Sequence, residues 1–442
     1  MLTERYFAAV NGPPIANNTA IAKDVGIYEH ILHPSHSTAN TFKKTSAPPN
    51  CLAVSGTHVF SAQHEKSTVH VYTRAKGTHE MTVTFQERIR TITLFGQVLI
   101  LGTDQGRVIV WETCTGRQIT TPACHVQAIT CMATTPYHLL TGSDDSNIQV
   151  WELARLLELD TTVEHEPEKT LSNHRASIAS LAVSQSVNRD TNICVSASKD
   201  KSAIIWNYQT GEALRTILFP SPLTALCLDP CARAFYVSSD SGAMFSVELF
   251  AEKPLIGGQS AEASSTVVQI SSPFGQVPQG TGPASCLGLS YDGTVLLSGH
   301  SNGQILRWDL STKAIATEVA SLNASVSNLL FVSPMATSET VTTVNIVRPF
   351  LGSRSYNFTA QLESDLVGET KLGKMLESKG FSHDILEQAL SALQQPAPTP
   401  AAASGDEALR KENEELREII NEQRALQKKT MQRYVEAKSS SS

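Results

Sequence analysis

The chain has 442 residues, of which 41% are hydrophobic and 17% charged, and its formal net charge is −7. That charge does not favour a protein whose main affinity is for nucleic-acid phosphates, since such proteins normally carry an excess of Lys and Arg. The eight cysteines include no Cys-x-x-Cys pair, and no apolar stretch approaches the roughly 20 residues of a membrane helix. The N-terminus does not resemble a signal peptide. We therefore expect an intracellular protein with no metal, no cofactor and no membrane partner.

Similar apolar segments that end in tryptophan recur along the chain. They are GRVIVW, ending at Trp111, SNIQVW, ending at Trp151, KSAIIW, ending at Trp206, and GQILRW, ending at Trp308. A period of about 40 residues, with four short alternating strands in each unit, is typical of a β-propeller. Candidate innermost strands begin near residues 50, 89, 126, 178, 223, 284 and 325. The sequence therefore predicts an all-β, seven-bladed WD-repeat β-propeller over residues 1–352.

The last unit lacks a Trp-type strand. Segments 325–332 and 341–347 are read as two strands of the seventh blade, and the N-terminal segments 6–10 and 20–28 have similar patterns. An incomplete blade would leave sheet edges unpaired, and pairing with the opposite end of the chain removes them. We predict that residues 5–30 close the ring by joining the last blade.

Two blades carry the same set of polar residues. The sets are His125, Thr141, Asp145 and Trp151, and His174, Ser196, Asp200 and Trp206. We interpret them as structural tetrads, in which Asp accepts from His, His contacts the hydroxyl, and the hydroxyl contacts the indole N–H. The alternative is a hydrolytic triad of Ser196, His174 and Asp200, which would need matching geometry and roles. Because the set occurs twice together with its Trp, we predict no catalytic residues.

Two insertions interrupt the repeat. Residues 154–169 begin with a helical pattern and end acidic, whereas residues 251–283 are rich in Ser, Gly, Gln and Pro. The second insertion is predicted to be a mobile surface loop, with a partner-binding arm as the alternative. Its segment 266–270 is a candidate outer strand of its own blade.

The pattern becomes helical after about residue 352. We predict short helices over 362–393, a linker over 394–405 and a long helix over 406–438. Apolar residues occupy heptad core positions of the long helix at Leu409, Leu416, Ile419 and Leu426. A helix with so narrow an apolar stripe needs a partner to be ordered, so we expect a partner helix or a second copy of the chain to bind these four residues. The first half of this helix is acidic and the second half is basic. The alternative to a partner is that this charge distribution only complements the helix dipole.

Several segments resemble one family of WD-repeat proteins. They include FAAVNGPPIANNTAIAKDVGIYEH (7–30), PNCLAVSGTHVFSAQ (49–63), VIVWETCTGR (108–117) and LSYDGTVLLSGHSNGQILRWD (289–309). They resemble the fungal WD-repeat subunit of the Rix complex, the IPI-three family of pre-rRNA-processing proteins, whose animal counterpart is WD-repeat protein eighteen. The resemblance extends over the propeller and the C-terminal helix.

This resemblance implies a non-enzymatic scaffold in maturation of the large ribosomal subunit, acting in the nucleoplasm and nucleolus. The implied partners are a Rix-type helical-repeat scaffold, a second helical-repeat subunit, a midasin-type AAA ATPase and the pre-60S particle, with precursor rRNA as a further contact. Self-association through the C-terminal helix is also implied. Because one fold supports many functions, a WD-repeat substrate receptor and a chromatin or replication-licensing adaptor remain as alternatives.

Overall fold

In the computed structural model, the described residues are 3–12, 24–33, 35–158, 165–184, 192–250, 255, 267–311, 317–322, 324–335 and 345–349, with single positions and short runs between 411 and 430. The chain divides into two compact units, Met1–Glu363 and Ser364–Ser442. The predicted helices over 362–393 and the predicted linker over 394–405 lie outside the described residues. Within the described part, no helix has the length and apolar character needed to cross a bilayer.

The described strands of the first unit form seven sheets, which are the blades of a propeller. Blade 1 contains β4 (Leu52–Val54), β5 (His58–Ala62), β6 (Thr68–Thr73) and β7 (Thr78–Thr84), and blade 2 contains β8 (Ile89–Phe95), β9 (Val98–Thr103), β10 (Val108–Glu112) and β11 (Gln118–Thr120). Blade 3 contains β12 (Ile129–Thr134), β13 (His138–Ser143), β14 (Ile148–Glu152) and β15 (Lys169–Leu171), with the one-turn helix α1 (Leu153–Leu156) after β14.

The remaining blades follow the same order. Blade 4 contains β16 (Ile178–Val183), β17 (Ile193–Ser198), β18 (Ser202–Asn207) and β19 (Glu212–Leu218). Blade 5 contains β20 (Leu223–Leu228), β21 (Ala234–Ser239), β22 (Ala243–Glu248) and β24 (Gly275–Gln276), and β23 (Val267–Gln269) lies between β22 and β24 in the chain. Blade 6 contains β25 (Ala284–Leu289), β26 (Val295–His300), β27 (Gln304–Asp309) and β28 (Thr317–Ser321). Blade 7 contains β29 (Ser325–Met335), β1 (Thr3–Asn11), β2 (Val25–His33) and β3 (Ser37–Lys43).

Burial explains the strand patterns. The second strand of a blade lies between two neighbouring sheets, so every residue of β17 and β26 is buried. The outermost strands β3 and β7 have one buried residue each and otherwise face solvent or lie half-buried. The predicted seven-bladed WD-repeat fold is confirmed.

Hydroxyl groups join the innermost strands around the central axis. Each donates to a carbonyl of the next blade: Thr130 to Ile178 at 2.6 Å, Thr224 to Ala284 at 2.8 Å, Ser285 to Val326 at 2.5 Å and Ser327 to Ala47 at 2.6 Å. The last of these bonds connects blade 7 to the segment entering blade 1. Because each bond runs from one blade to the next, these hydroxyls hold the inner ends of adjacent blades together.

The two ends of the chain close the ring, as predicted, but with a different division of strands. β29 is the innermost strand of blade 7, and β1, β2 and β3 complete that blade outward. The N-terminal region therefore supplies three strands, and the described part of the C-terminal region supplies one. The prediction that segment 341–347 forms a further strand of this blade is wrong for its described residues, because Asn345–Val347 lie outside any strand and Val347 binds blade 2 instead.

The described part of the 251–283 insertion is built into the outer edges of two blades. β23 pairs in parallel with β19 of blade 4, with Thr216 opposite Val267. β24 pairs with β22 and completes blade 5. The prediction that 266–270 pairs within its own blade is therefore wrong, because β24 already occupies that edge.

Candidate functional site

The first predicted tetrad comes together in blade 3. The Nδ1 atom of His125 lies 3.0 Å from the Asp145 carboxylate, and its Nε2 atom lies 2.9 Å from the Thr141 hydroxyl. The Trp151 indole N–H donates to the same hydroxyl at 3.2 Å. A neutral His125 that donates from Nδ1 and accepts at Nε2 satisfies all four groups.

The second predicted tetrad repeats this geometry in blade 4. His174 Nδ1 lies 3.1 Å from Asp200, and His174 Nε2 lies 2.7 Å from the Ser196 hydroxyl. The Trp206 indole N–H donates to Ser196 at 2.8 Å. The Ser196 side chain is fully buried, so its hydroxyl serves as the link between the imidazole and the indole.

Both carboxylates are held in the ionised form. Burial alone would raise the pKa of Asp145, but hydrogen bonds from His125 and from the amides of Asn147 and Val126 outweigh it and lower that pKa. The pKa of Asp200 is lowered well below its ordinary value, because bonds from His174, Ser202 and the Arg175 amide outweigh burial. These carboxylates organise the tight turns between the second and third strands of their blades.

A third network, which the sequence reasoning missed, lies in blade 6. The Trp308 indole donates to Ser298 at 2.8 Å, and Ser298 lies 2.8 Å from His300 Nε2. The Nδ1 atom of His300 lies 3.0 Å from the carbonyl of Gly282, which takes the place of the aspartate. The signal in the sequence was the spacing of ten residues between the hydroxyl residue and Trp, which all three networks share.

Blade 2 has a Trp but no hydroxyl partner for it within the blade. The Trp111 indole instead donates to the carbonyl of Val347 at 3.1 Å, and the Val347 amide donates to Thr113 O at 2.8 Å. We call residues 345–349 the strap. Ile346 packs against the core between blades 1 and 2, so the strap completes a blade that is distant in sequence.

A buried ionic cluster joins blade 7 to blade 1. The Glu29 side chain is fully buried and lies 3.2 Å from Arg5 and 3.3 Å from Arg74. Asn40 donates to its second oxygen at 2.9 Å, and the Arg74 guanidinium lies 5.3 Å from the centre of the Phe7 ring. Arg74 belongs to blade 1 and the other residues to blade 7, so this cluster joins the three N-terminal strands of blade 7 to the blade that follows them in the chain.

The possible metal ligands and the cysteines of the described residues can be considered together. No group of three or more His, Cys, Asp or Glu side chains there is arranged to hold a metal ion. None of the eight cysteines is in a disulfide bond, and burial raises the pKa values of Cys131, Cys227 and Cys286 to about 12. Cys231 is the exposed cysteine, in the turn between β20 and β21.

The tail helix is described in part. Its described positions between 411 and 430 are helical and exposed, including Leu416 and Leu426 with exposed fractions of 51% and 63%. Leu409 and Ile419, the other two predicted contact residues, lie outside the described residues.

Seven blades, with hydroxyl bonds between four pairs of adjacent blades and buried His–hydroxyl–Trp networks in three blades, define a WD-repeat β-propeller. The family model for the WD domain, G-beta repeat, matches residues 116–152 and 165–207, which lie in blades 2 to 4.

Similarity to individual proteins is more specific. The chain is 26% identical over 381 residues to Pre-rRNA-processing protein IPI3 of Yarrowia lipolytica, covering 84% of this chain and 82% of that protein. It is 23% identical over 327 residues to Pre-rRNA-processing protein crb3/ipi3 of Schizosaccharomyces pombe, and the match covers 68% of this chain and 73% of that protein. It is 25% identical over 312 residues to WD repeat-containing protein 18 of Homo sapiens, and the match covers 67% of this chain and 68% of that protein. The resemblance found in the sequence is thereby confirmed.

Proposed function

We propose that this protein is a non-enzymatic scaffold subunit of a Rix-type complex that acts in pre-rRNA processing and large-subunit maturation in the nucleus. The observation that carries the proposal is the similarity to Pre-rRNA-processing protein IPI3 over 381 residues, which extends through most of the propeller rather than through the repeats alone. A propeller suits this role because its loops and faces display many separate binding surfaces on one closed body.

The blade networks support a binding role rather than catalysis. The Ser196 and Thr141 hydroxyls are fully buried and each receives an indole N–H, so substrate has no access to them. A hydrolytic serine would instead need its oxygen open to an electrophilic carbon and close to oxyanion donors. The same geometry in two blades is explained by the stability of the sheets.

The tail helix is the proposed tether. Leu416 and Leu426 are apolar and largely exposed in the single chain, so burying them against another helix would be favourable. In this proposal the tail pairs with a second copy or with a helical-repeat subunit, while the propeller positions the complex on the pre-60S particle and helps to recruit a midasin-type AAA ATPase.

The test is affinity purification of the tagged full-length protein followed by mass spectrometry and by probing for the second internal transcribed spacer. We expect helical-repeat subunits, the AAA ATPase and precursor rRNA in the wild-type sample. The double variant Leu416→Asp/Leu426→Asp should lose the helical partners or self-association. Asn421→Asp/Ala425→Asp adds the same charge away from the heptad positions and should retain them.

Two results would contradict the proposal. If the wild-type protein recovers no pre-60S components but retains histones or a cullin adaptor, the chromatin or substrate-receptor function replaces it. If removal of residues 404–442 leaves the yield and stoichiometry of all partners unchanged, the tether is wrong while the ribosomal role stands.

A further inference from the structure

A groove opens between blades 5 and 6, on the face that carries the turns between first and second strands. Its cavity of about 1000 Å³ lies between the Asp229–Arg233 turn of blade 5 and the turn of blade 6 that contains Asp292 and Thr294. Phe250, at the end of blade 5, lines the opening and is 56% exposed. We call this cavity the 5–6 groove.

The walls of the 5–6 groove are apolar and polar in about equal parts. The larger apolar side chains among them belong to Tyr236, Phe250, Leu255, Ile270, Phe274 and Leu310. Tyr291, next to the lining residue Asp292, is 66% exposed. Large exposed aromatic side chains beside a concave apolar surface are typical of protein-binding sites.

Internal hydrogen bonds fix the two turns before any ligand binds. Asp229 forms a two-point ion pair with Arg233, with distances of 2.9 and 3.0 Å. Asp292 accepts from Ser290 at 2.5 Å, and the Tyr291 amide donates to Glu4 at 2.6 Å. A Cβ atom on Gly293 would lie 2.6 Å from Asp229, so the turns are in close contact. A site held in this way loses little conformational entropy on binding.

The charges around the groove favour a basic ligand. Asp229 is neutralised by Arg233, which is the one Lys or Arg among the described residues that line the groove. Two further carboxylates, Glu248 and Asp292, remain at its wall. The pKa of Asp292 is lowered, because bonds from Ser290 and Thr294 outweigh burial, so it stays ionised at neutral pH. Such a surface repels RNA phosphates and attracts Lys and Arg.

We infer that the 5–6 groove is a docking site for a short protein segment in which an aromatic or branched aliphatic side chain lies beside Lys or Arg. The apolar side chain occupies the cavity next to Phe250, and the cation pairs with Glu248 or Asp292. The inference deepens the proposed scaffold function and rests on it.

The test is selection of a random phage-displayed peptide library on the full-length protein, followed by fluorescence polarisation with the enriched peptides. We expect peptides that combine an apolar anchor with Lys or Arg. Phe250→Ala and Glu248→Lys should each weaken binding by at least about tenfold, the size of an ordinary anchor contact. Tyr137→Ala removes a 63%-exposed aromatic from the turn between β12 and β13, outside the groove, and should leave the affinity unchanged.

A thiol in the turn between the lining residues Asp229 and Arg233 gives a second readout. Cys231 is the exposed member of the eight cysteines, so a bulky maleimide will attach there first and should block binding of the selected peptides.

Three results of the peptide experiment would overturn the inference. They are selection of acidic peptides, no enrichment of any peptide, and an affinity that Phe250→Ala and Glu248→Lys leave unchanged. Binding of a single-stranded RNA 20-mer that depends on Phe250 would also overturn it. If the wild-type protein still recovers pre-60S components in those cases, only the groove assignment has failed.

Discussion

The indole N–H of Trp111 donates to the carbonyl of Val347, 236 residues further along the chain. Trp151, Trp206 and Trp308 use a hydroxyl ten residues earlier, but Leu101 holds that position in blade 2. The strap therefore supplies the acceptor that blade 2 lacks, and it fastens the chain beyond β29 to the edge of that blade.

Substituting Gly116 should displace the strap. Gly116 has a φ of 76°, and a Cβ atom there would lie 2.6 Å from the Arg348 carbonyl oxygen. We expect Gly116→Ala to lower the free energy of unfolding by about 1 kcal/mol or more and to speed amide exchange in the strap. Gly96→Ala is the control, because Gly96 has a φ of 57° but no atoms within 4 Å of its Cβ position. Equal effects of the two substitutions would show that backbone strain alone is responsible.

Removing the Ser196 hydroxyl should reduce stability. Ser196→Ala leaves His174 and the Trp206 indole without their shared partner in a buried site. We expect a loss of about 1–3 kcal/mol in urea-induced unfolding, with partner recovery preserved under native conditions. Ser271→Ala, at an exposed position, should change stability little. Unchanged stability combined with lost turnover of a substrate would favour the hydrolase alternative instead.

Glu29 should be among the residues to which the contact between blades 7 and 1 is most sensitive. Glu29→Gln removes the charge that pairs with Arg5 and Arg74 in a buried site, and breaking such pairs typically costs about 3–5 kcal/mol. Asp104→Asn breaks the exposed contact with Arg90 and should cost less than about 1 kcal/mol. Thermal unfolding of both variants measures the difference. Similar small losses would mean that the buried ion pair contributes little to the contact between blades 7 and 1.

His30 should contribute to acid sensitivity. Burial, and then the neighbouring His36, lower the pKa of His30 to about 4. Since the unfolded chain has a His pKa near 6.5, it binds a proton that the folded protein excludes. The stability contributed by this residue is therefore complete above about pH 6.5 and is lost as the pH falls towards 4.

The measurement is the unfolding free energy of wild type and His30→Gln at several pH values between 7 and 4.5. We expect a shallower pH dependence in the variant. The control is His64→Gln, which makes the same substitution at a half-exposed position. Parallel curves for wild type and His30→Gln would contradict the prediction.

The repeat made the blades predictable, because the same unit of short strands recurs about every 40 residues. The starting points near 89, 178, 223, 284 and 325 agree with β8, β16, β20, β25 and β29. The two tetrads share one geometry, in which His contacts both Asp and the hydroxyl and the hydroxyl accepts from Trp.

Pairing partners were harder to predict than strands. β3 is polar and largely exposed, so its pattern gave little sign of an edge strand. The apolar pattern of 341–347 predicts that some of its residues are buried, but it does not predict against which blade. Ile346 packs against the core between blades 1 and 2, and the backbone carbonyl of Val347 accepts from Trp111. The pairing of β23 with blade 4 was equally hard to predict. Alternation of polar and apolar residues indicates which face of a strand is buried, but it does not indicate with which strand it pairs. The 5–6 groove depends on turns from two blades, which no single repeat contains.

The pairing of β1 with β29 imposes an order on assembly. Tyr6, Phe7, Ala8 and Ala9 are completely buried in the closed ring, yet they are synthesised more than three hundred residues before their inner neighbour. Until β29 emerges from the translating ribosome, the first strand presents a hydrophobic open edge that invites mispairing. A chaperone that binds β1 during translation would protect the nascent chain until β29 is available to pair with it.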